Sequence, residues 1–484
     1  MVNTNALAFC SVFQYAMVFD AGSTHTTMVV YKWQANKFNG TGVVSQVASC
    51  DMSGGIGVVL RADPRAAADG YFRDCVAAGL DSVPEGRRGH SPVTLAATAG
   101  MRLLRSESPD EAQQVLGNVS RALERAATGM LFSVNSVRII TGQEEAVAGW
   151  ISANYLLKTI FPKPTKLVGM LDMGGASTQI TFLHHNNQSA PQSASVYDTS
   201  LQLYGARHEL YARSYMCYGQ EQLLNRYLVV LVQDHFPRDT DSLRTLRVGS
   251  PCHNAGFNYS VGYNDYVNVC SETSYTNKFR NVTVKVEGES NPDQCKQRIQ
   301  SLLNPDDCNA TFSNKECFAV PTNHPPDTNF VAVSGFYYVM QYLEFAKKHP
   351  PLKDFLVATK KSCSRTWEQT VSTLPGVKEE YASKVCFNAQ YQANLLVDGY
   401  GIKENTWQNI DFLKKVNNTS VGWTLGFTIQ STNAFPEEQA EEPFSATIFV
   451  SLMFIIAVGI GVCLTLTVIN LIKHCCKKNQ ISVK

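Results

Sequence analysis

The chain has 484 residues, of which 17% are charged and 44% hydrophobic, with a formal net charge of +1 and 14 cysteines. That length supports a large core and predicts two domains or lobes. The balanced charge excludes a general electrostatic attraction to nucleic acid, and the apolar content excludes a disordered chain.

Residues 1–19 carry no charge, no basic leading region and no clear cleavage site, so they read as a poor signal peptide. The expectation is that an N-terminal anchor is missing from this version of the chain. Residues 16–35 read as a strand pair: Val18 and Phe19 lead into Asp20-Ala21-Gly22-Ser23-Thr24, and Met28, Val29, Val30 and Tyr31 follow. Val115, Leu116, Val119, Leu123 and Ala126 stand at helical spacing and predict a helix over 109–127. Residues 137–140 form a short β-branched run, and 144–158 read as a helix. Residues 166–172 and 179–183 read as a second strand pair around a second glycine-rich turn. Residues 188–329 read as loop-rich, 336–347 as an amphipathic helix, and 407–416 with the segment around Trp423 as the close of the body.

Residues 446–472 contain no Asp, Glu, Lys, Arg or His. The run is long enough to cross a hydrocarbon core of roughly 30 Å as a helix. Residues 436–445, with Glu437, Glu438, Glu441 and Glu442, form an acidic stalk before it, and Lys473, His474, Lys477 and Lys478 follow it. The positive-inside rule then predicts a cytoplasmic tail over 473–484 and a body outside the cytosol, anchored in membrane lipid. Cys475 and Cys476 read equally as palmitoylation sites or as reduced cytosolic thiols.

Cysteine usage agrees with that location. Ten cysteines lie in the body, an even number that reads as five disulfides of open connectivity. Among these ten, no CxxC pair has zinc spacing, so a metal cluster is not expected. Asn39, Asn118, Asn187, Asn258, Asn281, Asn309, Asn417 and Asn418 each begin N-x-S/T and are consistent with a glycoprotein.

One long-range echo carries chemistry. Asp20-Ala21-Gly22-Ser23-Thr24 is matched by Asp172-Met173-Gly174-Gly175-Ala176-Ser177-Thr178. Each stretch follows one apolar run and precedes another, so each predicts a hairpin with an Asp at the strand end. Glycines let backbone N–H groups approach an anion, and Ser or Thr hydroxyls add donors. A carboxylate does not bind phosphate, but it holds a hydrated divalent cation that does. Two facing hairpins would clamp a polyphosphate; two ordinary hairpins are the competing reading.

The pair resembles the phosphate loops of the actin, Hsp70 and sugar-kinase superfamily. Three further segments narrow the resemblance. They are Ala97-Thr98-Ala99-Gly100-Met101-Arg102, then Ile140-Thr141-Gly142-Gln143-Glu144-Glu145, and Gly422-Trp423-Thr424-Leu425-Gly426. Together the five resemble the apyrase conserved regions of the membrane-anchored, cell-surface ecto-nucleoside triphosphate diphosphohydrolases. The resemblance implies an α/β fold with two RNase H-like lobes, a cleft between them and a C-terminal transmembrane helix. Lobe one would take 16–141 and 414–435, and lobe two 142–413. It implies extracellular hydrolysis of ATP, ADP, UTP and UDP to the monophosphate with Ca²⁺ or Mg²⁺, hence control of purinergic signalling. Homo-oligomerisation stays open.

The resemblance also implies roles. Glu145 is the general base, although Ala146 follows it here where the family has glycine. Glu144 is the adjacent alternative, and helix neighbours point about 100° apart, so only one can face the site. Gln179 and Ser177 orient the attacking water. Ser23, Thr24, His25, Thr98, Ala99, Gly174, Gly175 and Ala176 contact phosphate. Asp20 and Asp172 hold the cation largely through water, with Trp423 packed beneath. Tyr337 and Tyr381 sandwich the base. The implied disulfides are Cys50–Cys75, Cys217–Cys270, Cys252–Cys295, Cys308–Cys317 and Cys363–Cys386. A sugar or acid kinase, or a guanosine polyphosphate or polyphosphate hydrolase, would share the hairpins but would normally be cytosolic and free of disulfides. A receptor ectodomain would leave both loops without a purpose.

Overall fold

Two sheets with matching strand orders organise the body. A computed structural model describes residues 13–62, 66–133, 136–161, 166–184, 196–237, 244–314, 316–321, 328–345, 349–417, 419–437 and 446–481. Residues 1–12, most of the stalk and the sequons at Asn187 and Asn418 lie outside the described residues, as does residue 10 among the cysteines. Residues 13–437 form one compact unit, and the C-terminal helix belongs to another.

The first sheet contains β1 (Phe13–Ala21), β2 (His25–Gln34), β3 (Val44–Ser53), β4 (Val93–Ala97) and β5 (Val137–Ile139), in the order β3-β2-β1-β4-β5. The second contains β6 (Gly169–Met173), β7 (Ser177–Leu183), β8 (Asp198–Leu203) and β9 (Ala206–Met216). A three-stranded sheet follows from β10 (Thr245–Ser250), β11 (Asn258–Val261) and β12 (Thr283–Gly288). β13 (Phe330–Ser334) and β14 (Ile410–Phe412) complete the second sheet, ordered β14-β13-β6-β7-β9-β8. In each large sheet a central strand pairs antiparallel with the next strand in sequence and parallel with a distant one: β1 with β2 and β4, β6 with β7 and β13.

Both faces of the inner strands β1, β2 and β4 are covered, which explains why they are largely buried rather than alternating, whereas the edge strand β3 is mostly polar and exposed. Met17, Phe19, Met28 and Val30 pack with Val76, Val115, Val119 and Leu123 from helices Ala66–Asp81 and Pro109–Ala126. Their neighbours Ala16, Val18, Val29 and Tyr31 pack with Trp150 and Ile151 of helix Gly142–Leu156 and Leu425 and Ile429 of helix Trp423–Thr432. Met170, Val331 and Val333 of the second sheet join that same cluster. The opposite face, Leu171, Ile180 and Phe182, packs with Leu228 and Val232 of helix Gln220–His235.

The expectation of a loop-rich stretch over 188–329 is corrected. This region contains five strands, among them the 11-residue β9, and the 16-residue helix Gln220–His235. Its elements are stapled by Cys217–Cys270, Cys252–Cys295 and Cys308–Cys317, while Cys50–Cys75 and Cys363–Cys386 lie elsewhere. Dense cysteines and polar residues masked the helical pattern. The helix expected over 336–347 is shorter, Gly335–Tyr342, and that over 144–158 begins earlier, at Gly142.

The separate unit contains helix Ala446–Ile481. Its stretch Val450–Lys473 is, among the described residues, the one segment long and apolar enough to cross a membrane.

Candidate active site

The two echoed turns share one strand register. Asp20 pairs with Thr27 and Ala21 with Thr26; Asp172 pairs with Gln179 and Met173 with Thr178. Four residues therefore close each hairpin, 22–25 and 174–177. The Gly22 N–H donates to the His25 carbonyl at 3.0 Å, and the Gly174 N–H to the Ser177 carbonyl at 3.0 Å. Each Asp stands at the C-terminal end of a strand flanked on both sides, which holds its carboxyl still.

The tips meet. A Cβ on Gly175 would lie 2.7 Å from the Ser23 hydroxyl oxygen, so a side chain there would push the Ser23 hydroxyl from its place. The carbonyls of the second tip are tied back: Gly174 accepts from the Gln220 N–H, Gly175 from Glu221 and Gln222, and Ala176 from Cys217, at 2.9–3.2 Å. The N–H groups of Ser23, Thr24, Gly175 and Ala176 have no acceptor among the described residues. Four backbone donors are thus left for an anion. Thr24 and His25 are exposed at the first tip, their Oγ1 and Nδ1 atoms 3.1 Å apart. Thr98 anchors behind it, its N–H donating to the Ala21 carbonyl at 3.1 Å, and Ala99 opens the following helix.

Three carboxylates share the site. Burial, then the charges of Glu145 and Asp172, raise the Asp20 carboxyl well above its ordinary range, against a hydrogen bond from Trp423. Burial pushes Asp172 up to about 6, with Glu145 adding to it and Ser334 opposing it by a hydrogen bond. Both groups retain a partly exposed edge. This uncompensated negative charge fits a divalent cation. Among the described residues no three carboxylates bring oxygens within 4.8 Å of one another; the one such cluster is Cys295, Cys363 and Cys386, whose sulfurs are already in disulfides. The donor set therefore fits a cation held through water rather than caged directly. Trp423 is placed by a helix crossing: Ser152 donates to the Gly422 carbonyl at 2.6 Å and accepts from the Gly426 N–H at 2.7 Å.

Helix Gly142–Leu156 separates its two glutamates. Glu144 closes a capping box with Thr141 and pairs with Arg138 at 2.8 Å. Glu145 turns inward. Its Oε2 accepts from Arg102 Nη2 at 2.7 Å and from Gln179 Nε2 at 3.3 Å. Ser177 Oγ accepts from the same two groups, at 3.2 and 2.7 Å, and Gln179 Nε2 also donates to Ser214 Oγ at 3.0 Å. Arg102 lies in the segment 97–102 but the resemblance implies no role for it, and Ser214 and Ser334 belong to no motif. The clue available for Ser214 was its place opposite Gln179 in β9.

The two tyrosines expected to flank the base differ in exposure. Tyr337 is half-buried and Tyr381 is exposed, and among the described residues no ring contact joins them. Tyr337 instead meets Tyr338 edge-on at 5.7 Å, and the exposed Tyr338 stacks near Tyr342. Near Tyr381 in sequence, Lys384 forms an ion pair with Glu221 at 2.6 Å, beside the second loop.

The profile of the GDA1/CD39 (nucleoside phosphatase) family matches residues 11–444. Ectonucleoside triphosphate diphosphohydrolase 8 of Gallus gallus is 36% identical over 441 residues, covering 88% of this chain and 85% of that one. Ectonucleoside triphosphate diphosphohydrolase 2 of Homo sapiens is 35% identical over 439 residues, covering 88% and 83%. A nucleoside triphosphate hydrolase structure from Neospora caninum shares the fold, with a TM-score of 0.63 at 15% identity over 88% of this chain and 93% of that one. With a family match spanning nearly the whole chain and relatives above 30% identity, the chain belongs to the GDA1/CD39 (nucleoside phosphatase) family.

Proposed function

We propose that the protein hydrolyses nucleoside tri- and diphosphates, such as ATP, ADP, UTP and UDP, to the monophosphate and inorganic phosphate by direct attack of water. The observation that carries this reading is the pair of register-matched hairpins whose tips meet beside Glu145. Ser23, Thr24, Gly175 and Ala176 supply N–H donors to the phosphates, with Gly174, His25, Thr98 and Ala99 completing the walls. Glu145 takes the proton of a water oriented by Ser177 and Gln179. Asp20 and Asp172 hold Ca²⁺ or Mg²⁺ through water, with Trp423 behind them. When bound, the cation neutralises phosphate charge. Backbone donors bind phosphates without a net positive protein, which accords with a net charge of +1. Tyr337 and Tyr381 flank the base; stacking tolerates many bases because each has a π-face.

We also read the two sheets as RNase H-like lobes, over 16–141 with 414–435 and over 142–413, hinging about the site. Their equivalent strand orders support this. The C-terminal helix anchors the protein in membrane lipid, with the body extracellular and the basic tail cytoplasmic, so that it acts on extracellular nucleotides and purinergic signals. The acidic and basic flanks support that topology.

The test is phosphate release from ATP and ADP by intact cells, with and without EDTA. Release is expected outside the cell, lost with EDTA and lost in Glu145→Gln. A variant that keeps wild-type turnover removes Glu145 as the base, and release only after lysis overturns the topology.

A further inference from the structure

We propose that Arg102 is a positioning residue, which determines both the atom of Glu145 that receives the proton and the direction of the Ser177 hydroxyl. The inference rests on the hydrolytic reading above. Arg102 stands in helix Ala99–Glu107, and its guanidinium spans three separate segments. Nη1 donates to the Ile140 carbonyl at 3.1 Å, just beyond β5, while Nη2 donates to Glu145 Oε2 at 2.7 Å and Ser177 Oγ at 3.2 Å. The Arg102 and Glu145 side chains are only 11% and 12% exposed, so water competes little for these bonds.

Counting donors and acceptors assigns the rest. Glu145 Oε2 accepts from both Arg102 and Gln179, whereas Oε1 has no donor among the described residues. The occupied oxygen is the poorer proton acceptor, so Oε1 is the basic atom. Ser177 Oγ likewise accepts from Arg102 and Gln179, which fills both its lone pairs and leaves its single hydrogen to point away from them, into the site. Gln179 Nε2 shares its two hydrogens among three acceptors, Ser177 at 2.7 Å, Ser214 at 3.0 Å and, most weakly, Glu145 at 3.3 Å, so its carbonyl end is the one free to accept. In the step that follows, a water O–H bond breaks and its proton goes to Glu145 Oε1. The water oxygen bonds the terminal phosphorus, and the P–O bond to the leaving nucleotide breaks with its electron pair on the leaving oxygen. Lysine lacks the planar fork needed to hold Ile140, Glu145 and Ser177 together.

The experiment compares wild type, Arg102→Ala, Arg102→Lys and Glu145→Gln in the full-length protein. It measures ATP turnover, affinity for a non-hydrolysable ATP analogue and thermal unfolding. Expected for Arg102→Ala is a kcat loss of about 100-fold, with KM and analogue affinity within about threefold of wild type. Millimolar guanidinium should restore part of the Arg102→Ala turnover and none in Glu145→Gln, and Arg102→Lys should fall between. A purely structural role would not show that rescue. If Arg102→Ala fails to fold, Arg102→Lys decides: reduced kcat with unchanged analogue affinity upholds the assignment. Wild-type kcat in either folded variant, or a loss confined to KM and affinity, overturns it. An inactive wild type would instead sink the hydrolytic reading itself.

Discussion

A Cβ on Gly219 would stand 2.3 Å from the Gly175 carbonyl carbon and 2.4 Å from the Ala176 nitrogen. Residue 219 precedes helix Gln220–His235, whose first N–H groups hold the carbonyls of the second glycine-rich turn. The helix start is thus a clamp on the loop. The clash is with backbone, so no side-chain rotation relieves it. Gly219→Ala should cost about 1–3 kcal/mol of stability and, by displacing the loop, about 100-fold in kcat/KM. Urea unfolding and steady-state kinetics on the same preparation check this; an unchanged kcat/KM would mean the loop does not need the clamp.

The two glutamates of helix Gly142–Leu156 should separate cleanly. Glu144→Ala removes a capping box and a partly exposed ion pair, and should cost about 1 kcal/mol while activity stays near wild type. Glu145→Gln should leave stability nearly unchanged and reduce kcat by at least about 100-fold. Reversed phenotypes would transfer the role of base to Glu144.

Asp20 is held against its own charge by burial and by Glu145 and Asp172. Asp20→Asn removes that repulsion. Without divalent cation the variant should unfold at a higher temperature than wild type. On adding Ca²⁺ or Mg²⁺, wild type should gain stability and the variant little. Scanning calorimetry with EDTA and with excess cation reads both effects. An equal cation-induced gain in the two proteins would remove Asp20 from the cation site.

His253 supplies a pH test away from the site. It is buried, its Nδ1 lies 2.7 Å from Ser250 Oγ, and that hydroxyl is 2.8 Å from the Tyr227 hydroxyl. Burial, with the charge of Lys384 adding to it, pushes the imidazole down to about 4. The unfolded chain takes up this proton near 6.5, before the folded one does. The resulting stability is therefore fully present above about pH 6.5 and drains away as pH falls towards 4, by on the order of 3 kcal/mol. Urea titrations from pH 7.5 to 4 should show a shallower loss in His253→Gln than in wild type; parallel curves would reject the assignment.

Sequons differ in what the fold allows. Asn118 is only 5% exposed, lies within helix Pro109–Ala126 and accepts from Arg121. Asn258 and Asn281 are exposed. Glycopeptide mass spectrometry should find Asn118 bare, with any glycans at exposed positions such as Asn258 and Asn281. A glycan on Asn118 would contradict the packing of that helix.

Much of this protein was legible in its sequence because the information is local. An Asp at a strand end followed by Gly, Ser and Thr specifies a tight hairpin, and it does so twice at 20–24 and 172–178. Twenty-seven uncharged residues specify an apolar helix without reference to anything else, as at 446–472. Tertiary structure decided what lies far apart in the chain. Arg102 is 43 residues from Glu145 and 75 from Ser177, and nothing in its own segment states that it binds both. The choice between Glu144 and Glu145 depended on helix phase and on Arg138 and Thr141 claiming the first of them. The clamp from Gly219 and helix Gln220–His235 lay in a stretch whose cysteines and polar residues read as loop. Hairpins and apolar helices are specified by neighbouring residues, whereas the orientation of a buried charge is set by which distant donors the packed sheets bring within hydrogen-bond reach.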